Sequence, residues 1–231
     1  MPRDTAPAPA QIEELFARIR AADLAQVDAL VAAEPALAKC RNAAGIAAIL
    51  FALYHRQQEI AAALARAAEP IDDLFVAAAL GRAELVDELT TRNSDPVRSF
   101  SPDGFTPLHY AGFFAHPTVA ALLLGRGADV RTVARNPMRV EPLHSAAASN
   151  QIEVVALLLA AGAAVDAEQE GGFTALHAAA QHGNAAMTRL LLAWGADPRR
   201  PSQDGKTAAD HARSLGHHGV AELLDLRPAH S

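Results

Sequence analysis

The fold of this chain is decided by residues 104–130, which read GFTPLHYAGFFAHPTVAALLLGRGADV. The stretch opens on a Thr-Pro pair and ends on Gly-Ala-Asp. Threonine caps a helix N-terminus, and proline at the first helical position loses no hydrogen bond. Glycine past a helix end accepts the left-handed backbone that stops the helix. The stretch therefore predicts two short helices joined by a turn, with Phe113 and Phe114 where a solvated helix face would be polar.

The same pattern recurs along the chain at a period near 33 residues. If the leucine after Thr-Pro is the anchor, the aligned positions are spaced 35, 33 and 33 residues apart: Leu108, Leu143, Leu176 and Ala209. Each anchor is followed 15 residues later by an apolar residue, and this rule finds three weaker units upstream, anchored at Leu15, Ile49 and Leu74. The step from Ile49 to Leu74 is only 25 residues. Since one helix pair cannot bury its apolar face alone, about seven such units predict a stack in which neighbours cover each other.

Two of the units carry motifs that resemble a known family. Gly104-Phe-Thr-Pro-Leu-His109 with Gly127-Ala-Asp129, and Gly172-Phe-Thr-Ala-Leu-His177 with Gly195-Ala-Asp197, resemble ankyrin repeats. The resemblance implies an all-α fold, an ankyrin-repeat solenoid of about seven helix-turn-helix units with short β-hairpin fingers. It is specific over about residues 101–224 and weak over residues 10–100.

The strength of the match predicts the domain organisation. We expect a disordered N-terminus at 1–9, an ankyrin-repeat domain at 10–224 and a frayed tail at 225–231. Within the domain, repeats 1–3 are degenerate (10–100), repeats 4–6 are consensus-like (101–200) and the last is a C-terminal cap (201–224). The stretch AAEPIDD between repeats 2 and 3 is too short for a finger, and RTVARNPMRVEP between repeats 4 and 5 predicts an irregular, basic finger.

Composition excludes several classes of protein. The 231 residues carry a net charge of −6 and a pI of about 5.9, which argues against the basic surface that nucleic acid requires. A single cysteine excludes an internal disulfide and Cys-rich metal sites. The N-terminal residues lack a secretory signal, and no window of 18 apolar residues predicts a membrane span. We therefore expect a soluble, cytoplasmic monomer with no membrane or nucleic-acid partner.

The sequence contains recurring histidines but none of the common catalytic motifs. His109, His144 and His177 recur at one repeat position, and the resemblance implies that they hydrogen-bond one repeat to the next. The His211–His218 cluster has the residue type to bind zinc or nickel, but it lacks cysteine and an i, i+4 pair, so a solvated surface is favoured. No nucleophile elbow, phosphate loop or HExxH motif is present. The sequence predicts no catalytic residue, no metal, no cofactor and no enzyme activity.

The resemblance also implies where a partner binds. Ankyrin-repeat proteins use their finger tips and the inner face of the first helices, and these positions here form a predicted partner-binding set: Phe105, Phe113, Phe114, Met138, Val140, Phe173, Gln181 and His182. Aromatic and methionine side chains in one patch are typical anchors of protein interfaces. The alternative is that one phenylalanine of the 113–114 pair packs inward over Gly112.

The favoured hypothesis is a non-catalytic protein–protein interaction module that grips a partner protein with its concave face and finger tips. Arg131, Arg135 and Arg139 share one finger, which makes an acidic partner an option. Two alternatives stay open: a small-molecule or metal-binding ankyrin protein, and a host-directed effector, which the sequence does not separate from an internal scaffold. A closed pocket would favour a small ligand, and an open groove would favour a protein.

Overall fold

The computed structural model of the protein describes residues 6–93 and 95–226. Within these residues the chain forms fourteen α-helices, packed as successive antiparallel pairs, and three short 3-10 helices (Pro35–Lys39, Asp95–Arg98 and Glu170–Gly172). The first, inner helices of the pairs are α1 (Pro9–Arg20), α3 (Ala48–Tyr54), α5 (Leu74–Ala79), α7 (Pro107–Phe113), α9 (Pro142–Ala148), α11 (Ala175–Gln181) and α13 (Ala208–Ser214). The second, outer helices are α2 (Leu24–Ala33), α4 (Gln58–Ala67), α6 (Ala83–Arg92), α8 (Pro117–Gly125), α10 (Ile152–Ala160), α12 (Ala185–Ala193) and α14 (His218–Asp225).

The core runs along the stack between the two layers of helices. The anchor leucines Leu108, Leu143 and Leu176 are at most 1% exposed, and burial of a leucine side chain stabilises the fold by about 1.5–3 kcal/mol. Small residues let the inner helices approach closely. A Cβ built on Gly112 in α7 would lie 3.2 Å from the carbonyl oxygen of Pro142 at the start of α9, so only a very small side chain fits between these two helices.

The predicted β-hairpin strands are absent from the described residues, where the only bridge is an isolated antiparallel one between Arg41 and Ala47. The fingers are tight turns instead. Ser101 N–H donates to the Phe105 carbonyl at 2.8 Å, and the reverse bond is made by a side chain, because the Phe105 N–H donates to Ser101 Oγ at 3.1 Å. In the finger at residues 202–206, Ser202 Oγ donates to the Lys206 carbonyl, and the Lys206 N–H donates to Asp204 Oδ1 at 3.3 Å. In both fingers a side-chain oxygen accepts the N–H that would otherwise form the second backbone hydrogen bond of a β-hairpin, and the turn is too short to form two strands.

The fingers also touch one another along the edge of the stack. Arg135 N–H donates to the Gly104 carbonyl at 2.8 Å, and Gln203 N–H donates to the Gly171 carbonyl at the same distance. Gly104, with φ +86°, has no room for a side chain, since a Cβ there would lie 2.5 Å from the Arg135 carbonyl oxygen. The fingers therefore form one continuous rim beside the inner helices.

The stack is irregular between the second and third helix pairs. The link from α4 to α5 contains only residues 68–73, and α3 packs on α5 far less extensively than α5 packs on α7. The fingers on either side of this gap close it: a Cβ built on Gly45 would lie 2.7 Å from Cβ of Pro102. The finger that precedes α3 therefore contacts the finger that precedes α7, which lies two pairs away.

The predicted chain ends fall partly outside the described residues. Residues 1–5 and 227–231 lie there, whereas α1 already begins at Pro9 and α14 extends to Asp225. The helical part thus reaches one residue beyond each predicted boundary of the repeat domain.

Candidate functional site

A concave cavity of about 440 Å³ lies between the inner helices and the finger rim of the fourth and fifth pairs. Its walls are mainly aromatic and apolar: Tyr54, Phe105, Tyr110, Phe113, Met138 and Val140. Phe113 is 42% exposed and Met138 is 51% exposed, whereas Val140 is only 7% exposed. Two large apolar side chains therefore stand open to solvent at the mouth of a cavity with a buried apolar floor.

Asp103 organises one end of this cavity. The Tyr54 hydroxyl donates to Asp103 Oδ2 at 2.6 Å, and the Tyr110 hydroxyl donates to Asp103 Oδ1 at 2.6 Å. Ser101 Oγ donates to Oδ1 as well. Burial, assisted by the hydrogen bonds to Asp103, raises the pKa of both tyrosines, so both hydroxyls keep their protons and remain donors. The chain has only two tyrosines, and both serve this one carboxylate.

Phe113 and Phe114 belong to an aromatic cluster that crosses the irregular part of the stack. The Phe113 ring lies 6.3 Å from the Tyr54 ring and 5.1 Å from the Phe114 ring. Phe114 lies 5.8 Å from Tyr54 and stacks on Tyr110 at 6.4 Å. These offset and edge-to-face distances are favourable for aromatic pairs. The pair therefore joins the fourth helix pair to the second, while the Phe113 ring stays open to the cavity.

The structure brings half of the predicted partner-binding set together. Phe105, Phe113, Met138 and Val140 line the cavity, and Phe114 packs on its aromatic wall. The other three residues of the set lie further along the stack and do not line this cavity.

Each of those three is placed by contacts with its neighbours. Phe173 packs against His177 and His211 at 5.4 Å and 5.1 Å. His182 Nε2 lies 2.8 Å from the Ala148 carbonyl oxygen, and the Gln181 carbonyl oxygen lies 3.1 Å from His217 Nε2. Both side chains of the 181–182 pair are exposed.

The cavity is also lined by Tyr110 and Ser145, which were not in the predicted partner-binding set. Tyr110 directly follows the repeat histidine, and its neighbours Phe113 and Phe114 were a usable signal for an aromatic cluster. Ser145 takes the position that is alanine in the sixth repeat, at Ala178. Tyr54 was recognisable as an inner-helix position, but nothing in the sequence placed it beside Asp103.

Two of the three repeat histidines, His109 and His144, hydrogen-bond one repeat to the next, as the resemblance implied. His177 differs: its Nδ1 accepts the Thr174 N–H, but among the described residues its buried Nε2 makes no hydrogen bond of normal geometry to the next repeat. His109 Nδ1 lies 3.2 Å from the Thr106 N–H that donates to it, so the proton sits on Nε2, which lies 3.0 Å from the Val140 carbonyl oxygen of the next repeat. His144 makes the same tie to Ala167 at 2.9 Å. Burial lowers the pKa of His109 to about 4 and lowers that of His144. Both imidazoles therefore remain neutral at the cavity floor.

A second series of histidines ties the turns together and was not predicted. His116 Nε2 lies 2.9 Å from the Ala79 carbonyl oxygen of the preceding pair. Its ring fits only because Gly81, with φ +71°, has no side chain: a Cβ there would lie 2.4 Å from His116 Nδ1. His217 and Gly183 repeat this arrangement. His182 makes the same tie, which gives it a structural role in addition to the predicted one.

The predicted solvated cluster at the C-terminal end is wrong for His211, which is only 8% exposed and packs on His177 and Phe173. It belongs to the buried face of α13, a helix that packs on α11 and α14. In the part of the chain that the structure describes, no three His, Cys, Asp or Glu side chains gather as potential metal ligands. Burial raises the pKa of the Cys40 thiol to about 11, which disfavours the reactive thiolate at neutral pH.

Two of the three arginines in the predicted basic finger are held by internal contacts. Arg131 Nε donates to the Gly162 carbonyl at 2.9 Å, and the Arg135 guanidinium lies 3.9 Å over the Phe100 ring. Arg139 is exposed and borders a separate, shallow hollow over residues 133–139. The finger therefore offers less free positive charge than its sequence suggests.

Paired helices stacked into a layer, with a finger rim and a concave cavity, define a helical repeat protein of the solenoid class. Comparison with known families identifies the type of repeat. The Ankyrin repeat model matches residues 103–135, and the Ankyrin repeats (3 copies) model matches residues 143–228. Together they match just over half of the chain, which therefore belongs to the ankyrin repeat family.

One curated relative is the Inactive serine/threonine-protein kinase TEX14 of Mus musculus. It is 48% identical over 59 residues, which make up 25% of this chain but only 4% of that protein. The chain thus spans a very small part of this relative's length. Among the described residues, no helix has the length and apolar character needed to cross a membrane.

Proposed function

We propose that this chain is a non-catalytic protein-binding module that grips a segment of a partner protein in the concave cavity. The observation that supports it is the exposure of Phe113 and Met138 over the buried floor at Val140. Exposed apolar clusters mark interaction sites, and aromatic and methionine side chains are common anchors in them. Members of the ankyrin repeat family are generally interaction modules without enzyme activity, which agrees with this reading.

The proposed contact surface has a centre and a periphery. Phe105, Phe113, Met138 and Val140 form the centre, with Phe114 supporting the Phe113 ring. Phe173, Gln181 and His182 extend the surface along the rim, where a longer partner segment would pass. The repeat domain proposed for this role is the whole 10–224 unit, because Tyr54 of the second pair closes one end of the cavity.

An acidic partner is favoured only at the rim, where Arg139 is exposed. The cavity itself contains a carboxylate, so its charge favours the opposite sign. We therefore propose that any acidic part of the partner lies outside the cavity.

Selection from a random peptide display library tests this function. We expect wild-type protein to enrich a shared motif, and the double variant Phe113→Ser, Met138→Ser to lose it. The matched control is Trp194→Ser, which removes an aromatic side chain of similar exposure, 47%, at the end of outer helix α12. Enrichment of the same motif by the cavity variant would overturn the proposal.

A small organic ligand is the second candidate, because 440 Å³ falls within the usual range for such sites, about 300–1,000 Å³. Native mass spectrometry of the purified chain separates the two functions. A bound small molecule that is lost in the Phe113→Ser, Met138→Ser variant would favour this candidate.

A further inference from the structure

The cavity beside Asp103 carries a net negative charge. Besides the two protonated tyrosines, three ionisable side chains line it: Asp103, His109 and His144. Each histidine accepts an N–H at Nδ1 and faces a carbonyl oxygen with Nε2, so neither carries a second proton. Burial lowers the pKa of both, that of His109 to about 4. Among the described residues that line the cavity, the carboxylate is therefore the only charged group at neutral pH.

Within residues 6–93 and 95–226, no basic side chain forms an ion pair with this carboxylate. Its three donors, Tyr54, Tyr110 and Ser101, are all neutral hydroxyls. Two of the three arginines of the neighbouring finger are engaged elsewhere, because Arg131 binds the Gly162 carbonyl and Arg135 covers Phe100. The third, Arg139, is exposed and does not line this cavity. A charge held by neutral donors in a partly enclosed site attracts an opposite charge more strongly than one exposed to water.

The aromatic rings around Asp103 favour the same sign of charge. The face of an aromatic ring is electron-rich and attracts a cation within about 6 Å of its centroid. Tyr54 and Tyr110 both donate a hydrogen bond to the carboxylate, which polarises the phenols and increases the electron density of their rings. Phe113 adds an open ring at the mouth, 6.3 Å from the Tyr54 ring.

From this arrangement we propose that the cavity receives a positively charged side chain, lysine or arginine, of the bound protein segment. The inference rests on the proposed function and adds the chemistry of the residue that enters. The charged head lies against the rings of Tyr54 and Phe113 on the Asp103 side. The aliphatic stem covers Met138 and Val140, which line the same cavity.

The chain carries its own reporter for this site. It contains three methionines, of which Met138 lines the cavity and Met187 is fully buried in the core. With ¹³C-methyl methionine in the full-length protein, NMR follows binding at the Met138 methyl, and Met187 is the internal control. A Met138→Leu variant assigns the signal.

The probes are four blocked tripeptides, Gly-Xaa-Gly, in which Xaa is lysine, trimethyl-lysine, arginine or norleucine. Norleucine keeps the aliphatic stem and lacks the charge. We expect the three cationic peptides to shift the Met138 methyl and to bind at least about threefold more tightly than the norleucine peptide. Tighter binding of trimethyl-lysine than of lysine would show that the aromatic rings contribute most of the binding energy, and tighter binding of lysine would show that Asp103 does. Both results support a cationic occupant.

Two variants separate charge and ring effects from simple loss of apolar surface. Phe113→Leu keeps an apolar side chain but removes the ring, and we expect it to weaken the cationic peptides about two- to fivefold while leaving norleucine unchanged. Asp103→Asn is expected to do the same through the lost charge, by about threefold or more. Trp194→Leu serves as the matched control and leaves all four peptides unchanged.

The outcomes distinguish this inference from the function on which it rests. Equal binding of norleucine and lysine, or a failure of every peptide to move the Met138 methyl, would overturn the cationic occupant. In either case, a motif enriched in display that depends on Phe113 and Met138 would still support the protein-binding module. If the enriched motif does not depend on Phe113 and Met138, the proposed protein-binding function itself is wrong.

Discussion

Changing Tyr54 to Phe and Asp103 to Ala, singly and together, measures whether the second and fourth helix pairs are energetically coupled. In a regular solenoid each repeat contacts only its neighbours, so the effects of changes two repeats apart add up. Here the Tyr54 hydroxyl donates to Asp103 Oδ2 at 2.6 Å across the third pair. Such a contact predicts a coupling that a regular stack would not have.

The size of the coupling follows from the type of hydrogen bond. A hydrogen bond to a charged group contributes about 1.5–3 kcal/mol to stability, and the low end applies because Asp103 is half-exposed. We expect Tyr54→Phe to lower the free energy of unfolding by about 1.5 kcal/mol. The double variant should lose about 1 kcal/mol less than the sum of the two single variants.

Urea unfolding followed by far-UV circular dichroism gives the four free energies. The matched control is Asp204→Ala, because Ser202 Oγ donates to Asp204 just as Ser101 Oγ donates to Asp103, but no tyrosine reaches this finger. Tyr54→Phe and Asp204→Ala should be additive. Additivity of Tyr54→Phe with Asp103→Ala, within about 0.3 kcal/mol, would refute the contact between the second and fourth pairs.

Three further predictions concern stability and dynamics. Phe114→Ser should lower the free energy of unfolding by about 2–3 kcal/mol, because Phe114 packs on two tyrosine rings. Phe113→Ser should lower it by about 1 kcal/mol or less, because the Phe113 side chain is 42% exposed. Equal losses in urea melts would contradict these assigned orientations. Because burial lowers the pKa of His109 from 6.5 to about 4, the unfolded chain binds the extra proton below pH 6.5, so stability is full above that pH and declines by about 3 kcal/mol towards pH 4. Urea melts from pH 7.5 to 5 should show this slope, and a His109→Gln variant with an unchanged slope would argue against it. Amides of α1 and α2 should exchange with deuterium faster than those of α9 to α12, since among the described residues the first pair packs on one neighbouring pair only. Uniform protection would count against this.

Much of the architecture could be predicted from the sequence because it depends on local rules. The spacing of Leu108, Leu143 and Leu176 sets the period of the helix pairs, and the Thr-Pro and Gly signals mark where helices begin and end. The recurrence of His109 and His144 at one repeat position indicated a structural role, which their bonds to Val140 and Ala167 confirm.

The remaining features depend on contacts between distant residues. The finger turns are not strands because Ser101 replaces one backbone hydrogen bond with a side-chain bond, and the repeat pattern does not specify this substitution. The burial of His211 depends on its packing against Phe173, 38 positions earlier in the chain. The inner-face positions inferred from the family included Phe113 and Met138, and both of these line the cavity, but the sequence gave no sign that Tyr54 would form the opposite wall.

The cavity exists because the repeat pattern is broken. Only residues 68–73 connect α4 to α5, and across this short link Gly45 lies against Pro102 and the Tyr54 hydroxyl donates to Asp103. The 25-residue step removes the finger between the second and third pairs, brings the two neighbouring fingers into contact and places Tyr54 beside Phe113. Departures from an otherwise consistent pattern are where functional sites are expected. The second helix pair, where the resemblance to the family is weak, supplies Tyr54 on one wall of the cavity. The fourth and fifth pairs, where the resemblance is specific, supply the opposite wall.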